Sequence, residues 1–225
     1  GATFHPREEG ALPDERPQLV AALAGRAEGL WERRADVPLY YELKGAAERL
    51  FDELGVAARF VPGADAPWWH PAASARIEAD GRTLGGIGEL HPEVAARLEI
   101  DVPCALLELD LATLAAAPRA ARRFQEPSRQ PSVRRDLAVL LPRETPAARV
   151  LEAIRATAGR QLVEASVFDR YEGRGVPEGR VSLAFRLVFQ RPDRTLTDAE
   201  VSRAVERIVR MLAERFQGEL RQGSE

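Results

Sequence analysis

The chain has 225 residues, 45% of them hydrophobic and 30% charged, with a formal net charge of −3. That is long enough for two ordinary domains and too apolar and too nearly neutral for a disordered chain. No run approaches the ~18 consecutive apolar residues of a membrane-spanning helix, no basic-then-apolar leader is visible, and the single cysteine, Cys104, excludes an internal disulfide framework and a cysteine-rich zinc site and points to a reducing compartment.

The opening Gly1-Ala2-Thr3-Phe4 has the composition of a strand interior, so a piece of a longer polypeptide is expected. Residues 17–25 contain the apolar run 19–23, read as a strand. Over 41–54, Leu43, Ala46, Ala47, Leu50, Phe51 and Leu54 recur at helical spacing, and Gly55 supplies the left-handed stop. Residues 73–79 and 82–90 flank Asp80-Gly81, which suits a type I′ turn and predicts a hairpin. Residues 92–98 read as a short helix with proline at its first turn, and 105–111 as a further strand. Antiparallel strands with one or two helices make an α+β module.

A linker is expected at about 115–127, where Ala115-Ala116-Ala117-Pro118 precedes an arginine cluster and Pro127. Charge changes sign there. Residues 1–120 carry 12 Lys+Arg against 20 Asp+Glu, whereas residues 121–225 carry 20 Arg against 15 Asp+Glu. The basic half is the better candidate for an anionic partner, although a solvated arginine-rich surface gives the same count. Beyond the linker, 136–141 is an apolar run ended by Pro142. Thr145-Pro146 reads as an N-cap followed by proline at the first helical position, and the helix stops at Gly159. Residues 162–168 form a strand. Val181, Leu183, Phe185, Leu187 and Phe189 alternate over the next one. Thr197 and Glu200 make a capping box for a helix lined by Val201, Val205, Ile208, Leu212 and Phe216, and 218–222 could add an edge strand. The order is β-α-β-β-α-β, a ferredoxin-like arrangement.

Few chemical motifs survive scrutiny. His5, His70 and His91 each precede proline, which reads as turns, not metal ligation. Cys104 sits in an apolar run, and no Ser/His/Asp arrangement is evident. Gly85, Gly86 and Gly88 fit no phosphate-loop spacing and read as close strand packing. The sharper signal is Phe168-Asp169-Arg170-Tyr171, then Gly173, Gly175 and Arg180-Val181-Ser182-Leu183, followed by Arg194-Thr195-Leu196-Thr197-Asp198. If the hairpin pairs Arg170 with Val181, Asp169 lies opposite Ser182 on the face that carries Arg186, and a one-residue slip would separate them. A ring to stack on a base, a carboxylate and hydroxyl for base edges, and arginines for phosphates suit single-stranded RNA. The alternative is a purely structural hairpin whose Tyr171 caps the core.

The second half resembles the ferredoxin-fold anticodon-binding domain of bacterial phenylalanyl-tRNA synthetase β chains. The matching runs are Pro131-Ser132-Val133-Arg134-Arg135-Asp136-Leu137, Phe168-Asp169-Arg170-Tyr171, Ser182-Leu183, Arg194-Thr195-Leu196-Thr197-Asp198 and the closing Leu220-Arg221. The first half resembles the preceding class II synthetase-like module through Leu12-Pro13, Gly25, Trp31, Lys44-Gly45, His70-Pro71, Ser74-Ala75 and Gly86-Ile87-Gly88-Glu89-Leu90-His91-Pro92. It departs from the family at Ala72, where glycine is usual.

The resemblance implies an α+β chain, with a class II synthetase-like antiparallel-sheet module over 1–120 and a ferredoxin-like βαββαβ anticodon-binding domain over 124–225. It implies a C-terminal fragment of the β chain of a cytoplasmic phenylalanine–tRNA ligase, an α2β2 heterotetramer in the family. The parent enzyme uses ATP and magnesium; the fragment needs no cofactor or metal of its own. The implied partners are tRNA(Phe) and the catalytic α chain, with no membrane. Asp169, Tyr171 and Ser182 take the anticodon-base contacts, Tyr171 as the stacking ring, and Arg135, Arg194 and Arg221 the phosphate or structural roles. Where the catalytic chain has a glycine-rich strand ending in an ATP-binding arginine, this sequence has Glu108, Asp110 and Thr113, and two carboxylates repel a triphosphate. The fragment alone is therefore expected to be non-catalytic. A freestanding RNA-binding protein, and a small-molecule-sensing ferredoxin-like module fused to a degenerate synthetase domain, are the competing readings.

Overall fold

The computed structural model describes residues 1–8, 11–25, 37–63, 65–121, 124 and 126–221; Trp31 and Gln222 lie outside the described residues. The chain divides into two compact units, Gly1–Phe124 and Gln125–Glu225.

The first unit runs Ala2–His5 (β1), Asp14–Ala24 (β2), Leu39–Leu54 (α1), Arg59–Pro62 (β3), Trp69–Ala79 (β4), Arg82–Leu90 (β5), Pro92–Arg97 (α2), Cys104–Asp110 (β6) and Leu111–Ala116 (α3). Its strands form one antiparallel sheet in the order β1-β2-β6-β5-β4-β3. Strand alternation gives the sheet two different faces. Ala75, Ile77, Leu107 and Leu109 are buried in one core with Leu39, Leu43, Ala47 and Phe51, which recur every four residues along α1. Glu108 and Asp110 point the other way. Gly55 ends α1 with φ 69°, and a β-carbon there would lie 2.6 Å from the Ala120 carbonyl oxygen, so both conformation and space require glycine. The β4–β5 hairpin turns on Asp80 and Gly81 at φ 50° and 72°, both in the left-handed region that a type I′ turn needs.

Several expectations shift. The stretch expected to open the linker is packed structure. Asp110 accepts the Thr113 amide at 2.6 Å and starts α3, Leu114 and Ala117 are buried, and Arg119 bridges to Val56. Three alanines read as filler, but a capping carboxylate and one buried leucine suffice for a short helix. Residues 122, 123 and 125 of that stretch lie outside the described residues. His70 stands in β4, not in a turn, although its Nδ1 accepts the Ala72 amide at 3.2 Å; His91 caps α2 by accepting the Glu93 amide. The four-residue β3 carries no sequence signal beyond its apolar centre.

The second unit runs Val133–Pro142 (β7), Ala147–Ala158 (α4), Leu162–Tyr171 (β8), Arg180–Phe189 (β9), Asp198–Phe216 (α5) and Glu219–Leu220 (β10). The sheet order is β10-β7-β9-β8, antiparallel throughout, a ferredoxin-like fold. Val181, Leu183, Phe185, Leu187 and Phe189 share the core with Val150 and Ile154 of α4 and Val201, Ile208 and Leu212 of α5. Both helices thus lie on one face of the sheet. The opposite face carries Ser182, Ala184, Arg186 and Val188. Thr145 does not cap α4. Its amide closes a turn onto the Pro142 carbonyl, and Pro146 takes the N-cap position without a side-chain bond. A residue before proline is held extended, which moves the helix start one place on.

Candidate nucleic-acid interface

The helix-free face of the second sheet gathers four of the six residues singled out in the sequence. A β-bulge in β8 makes this possible. Val167 pairs with Phe185 and Asp169 pairs with Ala184, leaving Phe168 as an extra residue. Beyond the bulge Asp169 and Tyr171 face outward with Ala184 and Ser182, whereas uninterrupted alternation from Val167 would turn them toward the helices. The supposed pairing of Arg170 with Val181 is therefore displaced: Arg170 pairs with Leu183, and Tyr171, not Asp169, stands opposite Ser182. The shift is by two residues, so the face is kept.

Tyr171 is 37% exposed. Its hydroxyl donates to the Arg174 carbonyl at 3.3 Å, and the Arg221 guanidinium carbon lies 4.8 Å from its ring centroid. Arg221 starts from the far side of the sheet, where its amide donates to the Ala138 carbonyl at 2.9 Å. Ring and guanidinium therefore meet above the two inner strands. Ser182, opposite Tyr171 in the sheet, is 4% exposed. Asp169 is exposed, and among the described residues no hydrogen bond or ion pair engages its carboxylate.

Arg135 and Arg194 lie elsewhere, toward the N-terminus of α5. Arg135 does not pair with Asp136, because successive strand residues point to opposite faces; it donates to Asp198 at 2.8 Å. Arg194 forms a two-pronged ion pair with Glu200, one contact at 2.9 Å. That pair, with the Thr197 amide and hydroxyl, holds the Glu200 carboxyl well below the usual range. Thr197 and Glu200 make the expected capping box. Asp136 instead faces Arg186, which donates through Nε and Nη2 at 3.2 and 3.1 Å, and the Arg186 hydrogen bonds hold that carboxyl below its ordinary value. Arg186 also lies over the ring of Phe168, 4.5 Å from the centroid. This group was not separated in the sequence from its surroundings, since the register that joins Asp136 to Arg186 spans 50 residues.

In the first unit, the face opposite α1 bears a cavity of about 420 Å³ lined in part by Gln18, Trp69, Arg76, Gly86, Glu108 and Asp110. The glycines make room for Trp69: a β-carbon on Gly88 would lie 2.9 Å from the indole, and one on Gly86 would lie 3.3 Å from it. Burial pushes the Glu108 carboxyl up, whereas the Thr113 amide and hydroxyl hold Asp110 down. Arg76 is engaged by Glu78 at 2.7 Å and Asp65 at 3.5 Å. The lining has more carboxylates than cations and is unsuited to a polyphosphate. Among the described residues no cluster of three metal-ligating side chains occurs, and no helix is long and apolar enough to cross a membrane.

Both units match known families. Residues 128–221 match the family model "Ferredoxin-fold anticodon binding domain", and residues 1–111 match "Phenylalanyl tRNA synthetase beta chain CLM domain". The chain is 43% identical over 211 residues to the phenylalanine–tRNA ligase beta subunit of Moorella thermoacetica, covering 93% of this chain and 26% of that protein. It is 37% identical over 224 residues to the subunit of Bacillus cereus, covering 98% of this chain and 28% of the relative. It is 39% identical over 210 residues to that of Pseudomonas fluorescens, covering 92% and 26%. With both units matched, the chain belongs to the phenylalanine–tRNA ligase beta subunit family and spans about a quarter of the length of the curated relatives it matches.

Proposed function

We propose that this chain is the C-terminal part of a phenylalanine–tRNA ligase β chain and reads the anticodon of tRNA(Phe) on the helix-free face of its second sheet. The observation that carries the reading is the convergence of Asp169, Tyr171, Ser182 and Arg221 at one end of that face. Tyr171 supplies a stacking ring. Asp169 supplies acceptors for base edges. Arg221 supplies a cation for a phosphate, and the Ser182 hydroxyl a further hydrogen-bonding group for a base edge. Arg135 and Arg194 reach phosphates only by releasing Asp198 and Glu200. Residues 1–120 form a non-catalytic, class II synthetase-like module that packs on the catalytic α chain of an α2β2 enzyme. ATP and magnesium are handled by that α chain, and the assembly works in the cytoplasm. The acidic cavity of the first unit supports the non-catalytic role.

The test is binding of tRNA(Phe), with native and altered anticodons, to the αβ enzyme. Tyr171→Ala should lose about 1–3 kcal/mol of stacking. Asp169→Ala should relax discrimination among anticodon bases more than it weakens binding. If both variants remain folded and keep the full anticodon preference, the site reading fails.

A further inference from the structure

We infer that Phe168, Arg186 and Asp136 build a second base-stacking position on the same sheet face, which receives an anticodon base other than the one on Tyr171. The inference rests on the anticodon-reading proposal above. Phe168 is the extra residue of the β8 bulge, and its ring stands 48% exposed on a face with no helix to cover it. The Arg186 guanidinium lies over it at 4.5 Å. Two hydrogen bonds to the two oxygens of Asp136 fix the plane of that guanidinium. The same carboxylate offsets its charge, so the group is poorly suited to act as a bare phosphate anchor. What remains is a rigid, planar cation with an aromatic ring on one side. An unpaired nucleobase stacks on such a surface through its π-face.

Position supports a separate site. Ser182, opposite Tyr171, and Arg186 lie four residues apart on β9, roughly 13 Å at strand spacing. That exceeds the ~3.4 Å step of a continuous base stack, so the two positions hold splayed bases. Between them Ala184 leaves an open floor, and Asp169 stands beside it. A carboxylate there faces the edge of whatever base lies between the two platforms.

The experiment uses tRNA(Phe) carrying 2-aminopurine at each anticodon position in turn, bound to the αβ enzyme. Fluorescence quenching reports stacking at each position. Two positions should be quenched by the unaltered enzyme. Tyr171→Leu should release one of them. Phe168→Leu and Arg186→Lys should each release the other and weaken tRNA binding at least about fivefold, because lysine keeps the charge but not the plane. The exchanged pair Asp136→Arg with Arg186→Asp restores the ion pair and moves the guanidinium off Phe168, so it should fold and still lack the second quench. Recovery of that quench in the exchanged pair would overturn the inference. So would unchanged quenching and affinity in Phe168→Leu and Arg186→Lys while Tyr171→Leu releases its own base; the anticodon reading would then survive. If Tyr171→Leu also changes nothing, the anticodon reading itself falls.

Discussion

The ring of Tyr171 packs so closely on Gly173 that a β-carbon there would lie 2.8 Å from its hydroxyl oxygen. Gly173→Ala should swing the ring away from Arg221 without touching RNA itself, and should weaken tRNA binding by a fraction of the loss expected for Tyr171→Ala. Comparing the two affinities at equal salt checks this. A second residue-scale expectation concerns pH. Glu200 and Asp136 are both held below their ordinary values of 4.5 and 3.8 by arginine partners. A folded-state pKa below the unfolded one stabilises above the unfolded value, and that stability is lost as pH falls toward the folded value. The urea midpoint of the chain should therefore decline from about pH 4.5 downward. Arg194→Met should make that decline shallower, because Glu200 then loses the largest of the interactions that hold it down and keeps only those of Thr197.

Among the elements, α5 is the one whose start is most firmly specified. Thr197→Ala removes the bond to the Glu200 amide and leaves the returning carboxylate without its hydroxyl partner. The expected cost is about 1 kcal/mol of unfolding free energy, read from the denaturation midpoint. That capping box was legible in sequence, as were the alternation of β9 and the apolar spacing of α1, because each depends on neighbours a few residues away. The elements that sequence did not yield depend on distant partners. β3 is a strand because β4 offers an edge to Phe60 and Val61. α3 exists because Asp110 caps it and Leu114 finds the core. The site divides in the same way. Asp169, Tyr171 and Ser182 could be named, but the bulge that sets their register, the reach of Arg221 to Tyr171, and the joining of Asp136 to Arg186 follow from pairings across the sheet.

For the molecule as a whole, charge and chemistry divide between the units. Residues 1–120 carry an excess of acid and residues 121–225 an excess of arginine. Glu108 and Asp110 line the cavity of the first unit. The chain by itself should show no phenylalanine-dependent exchange of pyrophosphate into ATP; turnover above a buffer blank that survives repurification would contradict the assignment. The two units also constrain the sequence differently. In the first, Gly85, Gly86 and Gly88 bar side chains one position at a time. In the second, the constraint at β8 is on pairing. Were Phe168 to pair with Ala184 in unbroken alternation, Asp169 and Tyr171 would stand opposite Leu183 and Val181, and Arg170 and Glu172 would take their outward places. No amino acid of the site would have been replaced, yet its chemistry would face the core. The unpaired place in this strand is therefore itself an inherited specification, a parity carried by the pairing and not by any one side chain of the site.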